Sequence, residues 1–248
     1  MSPPVTGILV EGGIDIGPGI TIEGGAVASP TLLLELDAND YSGSGSTWTA
    51  AVGSNATLNG VPGYTASSPT YFSFDPLDLE YATVPNLGNL STWTIEAWFR
   101  VTGTLSTQVT TVAGAEYSGG YINYSLAINP IAEGTGVLKA SYYNNVSGGW
   151  QLTSGFIPTI NTWYYVVGTY DGTTLKQYQN GTLQSSNATA VPSASAGGEF
   201  RIAGRWDSLA STIDYFPGDV AIVKVYSGAR DATAVTASWN ADKARFGY

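Results

Sequence analysis

Glu35, Asp37 and Asp40 place three carboxylates within one short stretch of chain. Two carboxylates on one strand face can act as nucleophile and acid/base in glycoside hydrolysis when about 5–5.5 Å separates them. Glu35 and Asp37 are spaced to share a face, because alternate residues of a strand point the same way. Aspartates are also oxygen ligands. Asp37, Asp40, Asp75, Asp78 and Asp219 all fall in or beside expected loops, where a structural calcium could collect carboxylate and carbonyl oxygens. The same side chains serve turns equally well by accepting hydrogen bonds from nearby backbone. A third chemistry is sugar contact, in which rings stack on sugar faces while amides and carboxylates take hydroxyls. Tyr142-Tyr143-Asn144 with Trp150, and Arg205-Trp206-Asp207, combine those groups at expected strand ends and loops. Large aromatics also cap β cores, so either role is open to them.

Other chemistries are excluded by what the sequence lacks. It holds no histidine and no cysteine, which removes a Ser-His-Asp triad, a His-ligated zinc and a thiolate nucleophile. No disulfide supports the fold, and no Gly-x-x-x-x-Gly-Lys phosphate loop occurs. Asp and Glu number 19 against 9 Lys and Arg, for a net charge of −10 without basic clusters. Such a chain does not attract phosphate backbones, so no nucleic-acid partner is expected. Charged residues are only 11% of the chain, less than half of the usual share of about a quarter. Ser, Thr, Asn, Gln, Gly and Tyr must therefore cover the surface, which suits sugar contact or dry protein packing. No apolar run reaches the roughly eighteen residues of a membrane span. Residues 1–7 lack a basic and an apolar segment, so no signal peptide is expected.

The elements that must position these residues are strands. Hydrophobic residues at 43% and aromatics at 12% of 248 residues suffice for a large core. Candidate strands rich in Val, Ile, Thr, Tyr, Phe and Trp recur from Thr31 onward, among them 31–37, 71–74, 81–84, 93–101, 163–170 and 219–226. A strand is also expected over 200–204. Along 93–101, Trp93, Ile95, Ala97 and Phe99 alternate with Thr94, Glu96, Trp98 and Arg100, the pattern of a strand with one face in a core. Asp171-Gly172 and Asn180-Gly181 mark hairpins, since both pairs tolerate positive φ. One helix is expected over 231–243, with Asp231 as N-cap and Val235 and Trp239 on one face.

Residues 1–30 read differently. Gly13-Ile14-Asp15-Ile16 repeats as Gly19-Ile20-Thr21-Ile22, which puts Ile14, Ile16, Ile20 and Ile22 on one face of an extended ribbon. A lone hairpin is marginal in water, so this glycine- and isoleucine-rich arm is expected to dock on a larger body. The chain thus divides into an arm, 1–30, and one all-β sandwich, 31–248.

Four stretches, taken in order, resemble laminin-G-like domains of the concanavalin A-like lectin and glucanase superfamily. They are Leu34-Glu35-Leu36-Asp37-Ala38-Asn39-Asp40-Tyr41; Tyr71-Phe72-Ser73-Phe74-Asp75 with Trp93-Thr94-Ile95-Glu96-Ala97-Trp98-Phe99; Trp163 to Gly172; and Ile202-Ala203-Gly204-Arg205 with Phe216-Pro217-Gly218-Asp219-Val220-Ala221. The resemblance implies a two-sheet antiparallel, jelly-roll-like (concanavalin A-like) sandwich with one short C-terminal helix. It also implies a binding module, some relatives of which hold a structural calcium through loop acids. The segment from Glu35 to Asp40 is similar to the catalytic strand of retaining β-glucanases. Here, however, the last acid is Asp, and the segment opens the domain, whereas the glucanases carry theirs on a central strand.

The sequence therefore leads to a non-enzymatic protein needing no cofactor. The first expectation is a virion structural protein of a bacteriophage, a capsid decoration or tail-associated component, in which residues 1–30 contact other virion proteins within a homo-oligomer. It would be assembled in the host cytoplasm and carried on the particle. The alternatives are a carbohydrate-binding adhesin recognising host-surface glycans and, behind it, a glycoside hydrolase.

Overall fold

A computed structural model describes residues 29–105, 109–117, 122–129, 136–144, 149–188, 197–207 and 212–248. Ile14, Ile16, Ile20 and Ile22 lie outside the described residues. In chain order the strands are β1 (Thr31–Asp37), β2 (Thr47–Trp48), β3 (Ala50–Val52), β4 (Ala56–Asn59), β5 (Gly63–Thr65), β6 (Tyr71–Phe74), β7 (Tyr81–Val84), β8 (Trp93–Val101), β9 (Thr110–Tyr117) and β10 (Ile122–Ile128). There follow β11 (Leu138–Asn144), β12 (Gly149–Leu152), β13 (Trp163–Tyr170), β14 (Leu175–Gln179), β15 (Thr182–Asn187), β16 (Gly197–Ile202), β17 (Gly204–Asp207), β18 (Thr212–Tyr215) and β19 (Gly218–Ser227). A single α-helix, α1 (Ala232–Asp242), comes last among the described residues and runs into a short turn, Lys243–Phe246.

The strands build two antiparallel sheets laid face to face. The back sheet runs β15-β14-β13-β8-β19-β1-β3, with β6 also on β19 and β5 on β6. The front sheet runs β12-β11-β10-β9-β16-β7-β4-β2, and β17 and β18 form a separate hairpin. Between the sheets the inward residues close one core in which Trp48, Phe72, Trp93, Phe99, Tyr124, Tyr142, Tyr170, Phe200 and Phe216 are the largest members.

Strand β8 departs from its expected pattern of one buried and one open face. Thr94, Glu96 and Trp98, the supposed outward set, are as buried as the inward set. The cause is a second apolar layer on the far side of the back sheet. Trp98 stacks on Phe246 at 3.9 Å and on Trp239 at 5.1 Å, and Val235, Trp163, Tyr165 and Ile222 join them. The C-terminal helix and tail thus cover the back sheet. Asp231 caps α1 as expected, its carboxylate accepting from the Ala234 N–H at 2.8 Å. The tail is also pinned by ions and hydroxyls: Arg245 donates to Asp37 at 2.6 Å and to Thr70, and the Tyr248 hydroxyl donates to the Trp163 carbonyl.

The hairpin at Asn180-Gly181 is present, with both residues at positive φ (51° and 79°). Glycine is needed there twice over, because a Cβ on Gly181 would come within 2.9–3.1 Å of the Trp239 side chain. The expected strand over 200–204 is broken. Ala203 adopts φ 59°, an uncommon conformation for a residue with a Cβ. The kink ends β16 and turns Gly204–Asp207 out of the front sheet to pair with Thr212–Tyr215.

Candidate functional site

Among the described residues no helix lies on the outer face of the front sheet, although Ser125 and Ser141 on that face are fully buried. Register defines what it displays. Thr57 lies opposite Thr83, Thr83 opposite Arg201, Arg201 opposite Gly114, Gly114 opposite Ser125, and Ser125 opposite Ser141. This row crosses the strands and carries hydroxyls, one guanidinium and a glycine. Its inward neighbours, including Leu58, Ala82, Phe200, Tyr124 and Tyr142, belong to the core, as strand alternation requires.

Beside Arg201 the kink at Ala203 brings the β17–β18 hairpin against β9 and against Tyr81 of β7. Arg201 lies 5.9 Å from the centre of the Tyr81 ring and 6.0 Å from that of Trp206, within reach of cation–π attraction. Tyr215 meets Tyr81 edge-on at 6.0 Å. The guanidinium also donates to Glu199 at 2.9 Å, and Asn59 donates to the Thr83 hydroxyl at 3.3 Å. Trp206 is 36% exposed, and Tyr81, Tyr215 and Asn59 are partly so. This is an aromatic cradle around a charge-compensated arginine, flanked by an amide and hydroxyls. Rings of this kind present apolar faces to sugar C–H groups, while the guanidinium and amide present donors.

Two residues along β11 from Ser141, Tyr143 lies opposite Trp150 of β12, ring centroids 5.5 Å apart and nearly perpendicular. Asn123 sits at a register shift of β10, between Ile122 and Tyr124; it is 3% exposed, and neither end of its amide has a hydrogen-bond partner among the described residues.

Of the expected glycan residues, Trp206, Tyr143 and Trp150 reach this face. Arg205 lies in the hairpin wall, paired with Asp214 at 3.3 Å, and Asp207 ends β17 opposite Thr212. Tyr142 and Asn144 do not reach it. Both are fully buried, and Tyr142 packs against Trp93 and Tyr170 inside the sandwich, so neither offers a stacking or hydroxyl-binding surface. Sequence reasoning missed Tyr81, Arg201, Tyr215 and Asn59. An alternation count along 81–84 would have turned Tyr81 outward, but nothing local signals that Tyr215 and Trp206 come to it.

The expected metal ligands disperse. Asp37 caps a short turn through the Asn39 N–H and pairs with Arg245 at 2.6 Å. Asp40 stands exposed in that turn. Asp75 caps the turn Pro76–Asp78, and Asp219 is buried against Arg100 at 2.5 Å. Asp75, Asp78 and Asp219, joined by Glu80, do line one rim cleft of about 670 Å³. Burial, and then the nearby charges of Asp78 and Asp75, push the Glu80 carboxyl above its usual range. Yet among the described residues no three acidic side chains converge so as to hold a metal ion. The carboxylates of Asp37, Asp75 and Asp219 already serve Arg245, Arg100 and backbone N–H groups.

The suspected catalytic carboxylates are similarly engaged. Glu35 pairs with Lys224 at 2.8 Å, and the Lys224 ammonium pKa is raised through that bond and charge against the opposing effect of burial. With Asp37 held by Arg245, both carboxylates sit on the back sheet in ion pairs.

Two antiparallel sheets with a helix-capped back and a partly exposed aromatic cluster beside Arg201 on the front define a lectin-like β-sandwich domain. Residues 79–236 match the laminin-G family model described as the concanavalin A-like lectin/glucanases superfamily, and the chain belongs to that family. No curated protein sequence matches it. Among solved structures it is similar to the binding domain of Paraclostridial Mosquitocidal Protein 1, with 13% identity, a TM-score of 0.63, 85% of this chain and 52% of that one. It is also similar to domain 4 of an extracellular arabinanase from Geobacillus stearothermophilus, solved with arabinotriose. There the identity is 17% and the TM-score 0.60, over 84% of this chain and 98% of that one. A third neighbour is the sialidase of Trypanosoma rangeli, with 16% identity, a TM-score of 0.63, 97% of this chain and 38% of that one. The chain spans only about a third to a half of the sialidase and mosquitocidal-protein chains it matches. Such likenesses show the fold alone.

Proposed function

We propose that this domain is a non-catalytic carbohydrate-binding module whose site is the partly exposed Trp206–Tyr81–Tyr215–Arg201 cradle on the front sheet. The observation that carries the reading is the cradle itself: three partly exposed rings gathered from β7, β17 and β18 around one arginine. The solved arabinanase domain that shares the fold was crystallised with a sugar, which supports the class of ligand. Contact through rings, amides and hydroxyls requires no cofactor. The reading is binding rather than cleavage because Glu35 and Asp37 are consumed by Lys224 and Arg245 on the opposite sheet.

On an array of neutral and acidic glycans the domain is expected to bind a subset. Trp206→Ala is expected to weaken that binding on the order of tenfold or more, as loss of a stacking anchor does. Absence of binding to every glycan, or full retention by Trp206→Ala, would overturn the assignment.

The Gly-Ile-x-Ile repeat of residues 13–24 favours a second, compatible role. In this role the arm attaches the domain to a bacteriophage particle, as an oligomer displaying its front sheets. Mass spectrometry of purified particles tests it: the protein is expected among the virion components, and its absence ends the idea.

A further inference from the structure

We propose, resting on the reading that the cradle binds glycan, that it takes the terminal residue of a sugar chain, the rest of which leaves toward the β2 edge of the front sheet. The two sides of the cradle differ in access. Toward β10 the way is shut by the β17–β18 hairpin, which is fastened to β9. There the Thr111 hydroxyl donates to the Gly204 carbonyl at 2.5 Å, and the Thr110 hydroxyl donates to the Asp214 carbonyl at 3.2 Å. Beyond that wall Ala127, Ser125 and Ser141 have no exposure, so a further sugar ring finds nothing to rest on.

Toward β2 the surface is open. Arg201, Thr83, Thr57 and Thr47 are successive partners across β16, β7, β4 and β2. Exposure grows along that row: Arg201 and Thr83 are half-buried, whereas Thr57 and Thr47 are exposed. Asn59, opposite Tyr81, donates to the Thr83 hydroxyl at 3.3 Å and to the Thr57 carbonyl at 3.1 Å, which holds its amide beside the path. Three strand spacings of about 4.8 Å make roughly 14 Å, the span of roughly two or three linked sugar rings.

The rings of Trp206, Tyr81 and Tyr215 all stand at the closed end of this path. Stacking is therefore reserved for the sugar that reaches the wall, and the residues behind it meet hydroxyls and an amide alone. A ring in mid-chain carries a neighbour on each side. With one exit blocked, it cannot seat without driving one neighbour into the hairpin, and such a clash is what selects a terminus. On a glycan anchored to a cell or a polymer, the free terminus is the non-reducing one, which makes that residue the ligand.

The test is calorimetric titration of the full chain with the oligosaccharide that binds best on the array, carrying a biotin linker on either its non-reducing or its reducing terminal ring. The non-reducing cap is expected to weaken binding at least tenfold; the reducing-end cap, on a chain of more than about three residues, is expected to change nothing. Fragments of increasing length that keep the non-reducing end are expected to gain affinity up to about the third residue and then level. Thr57→Arg, which puts a long side chain on the path, is expected to weaken the trisaccharide on the order of tenfold and leave the monosaccharide unchanged. Unchanged monosaccharide binding reports that this variant is folded, and the capped ligands test the native chain without it. Equal affinity of the two capped forms, or affinity still climbing well beyond the third residue, would overturn terminal selection while leaving the cradle at Trp206 standing. A loss confined to the reducing-end cap would overturn the choice of end. Failure of every array glycan to bind would remove the glycan reading itself.

Discussion

Arg230→Ala is expected to lower folding stability by about 3–5 kcal/mol, the usual result of stripping the partner from a buried charge. Glu96 is 1% exposed at the centre of the back sheet, and Arg230, just after β19, reaches over to pair with it. The same guanidinium donates to the Ser238 hydroxyl at 2.8 Å and the Ala234 carbonyl at 3.0 Å, both on α1. One side chain therefore neutralises the buried acid and fastens the helix over it. Burial raises the Glu96 pKa above its ordinary 4.5, against the lowering influence of Arg230. The sign follows from proton uptake. A carboxyl raised on folding binds more protons in the native state, so it contributes most below the unfolded value and progressively opposes folding as pH rises through the folded one. Removing Arg230 raises that pKa further. The deficit of Arg230→Ala should thus be larger at neutral pH than at mildly acidic pH. Urea unfolding at the two values measures it, and a deficit independent of pH would contradict the assigned role.

Trp98→Ala is expected to cost about 3–5 kcal/mol, the range for removing a large buried aromatic. Trp98 is fully buried with Phe246 stacked at 3.9 Å, Trp239 at 5.1 Å and Tyr165 at 5.4 Å. The cavity would open beneath the C-terminal tail, which is held elsewhere mainly by Arg245 and the Tyr248 hydroxyl. Two readouts should move together: the unfolding midpoint falls, and amide exchange in 232–248 accelerates before exchange in β8–β10. If stability fell without early loosening of the tail, the second apolar layer would not be the joint described above.

The strands legible in the sequence were those whose alternation or aromatic content is strong over several residues, such as 93–101 and 163–170. The short β2 to β5 gave no such signal, because two to four residues cannot display a period. The second layer behind β8 was not legible either. Trp98 reads as an outward residue until Trp239 and Phe246, far along the chain, fold onto it. The same limit governs the site. Trp206 could be singled out for its chemistry, whereas Tyr81, Arg201 and Tyr215 gained meaning only when the kink at Ala203 swung the hairpin across. Tyr142 and Tyr143 show how sharply register decides: one step along β11 separates a core ring from a front-face ring.

Covering the back sheet with the chain's own tail has a geometric result. The strand that opens the described sandwich, β1, lies in that rear layer, and the tail closes there as well. Thr31, at the start of β1, therefore lies in the sheet opposite the one that carries Trp150. Copies fixed through that side to a common support would all hold their aromatic fronts toward the medium. Several weak sugar contacts would then act as one strong grip, with the gain set by spacing between copies.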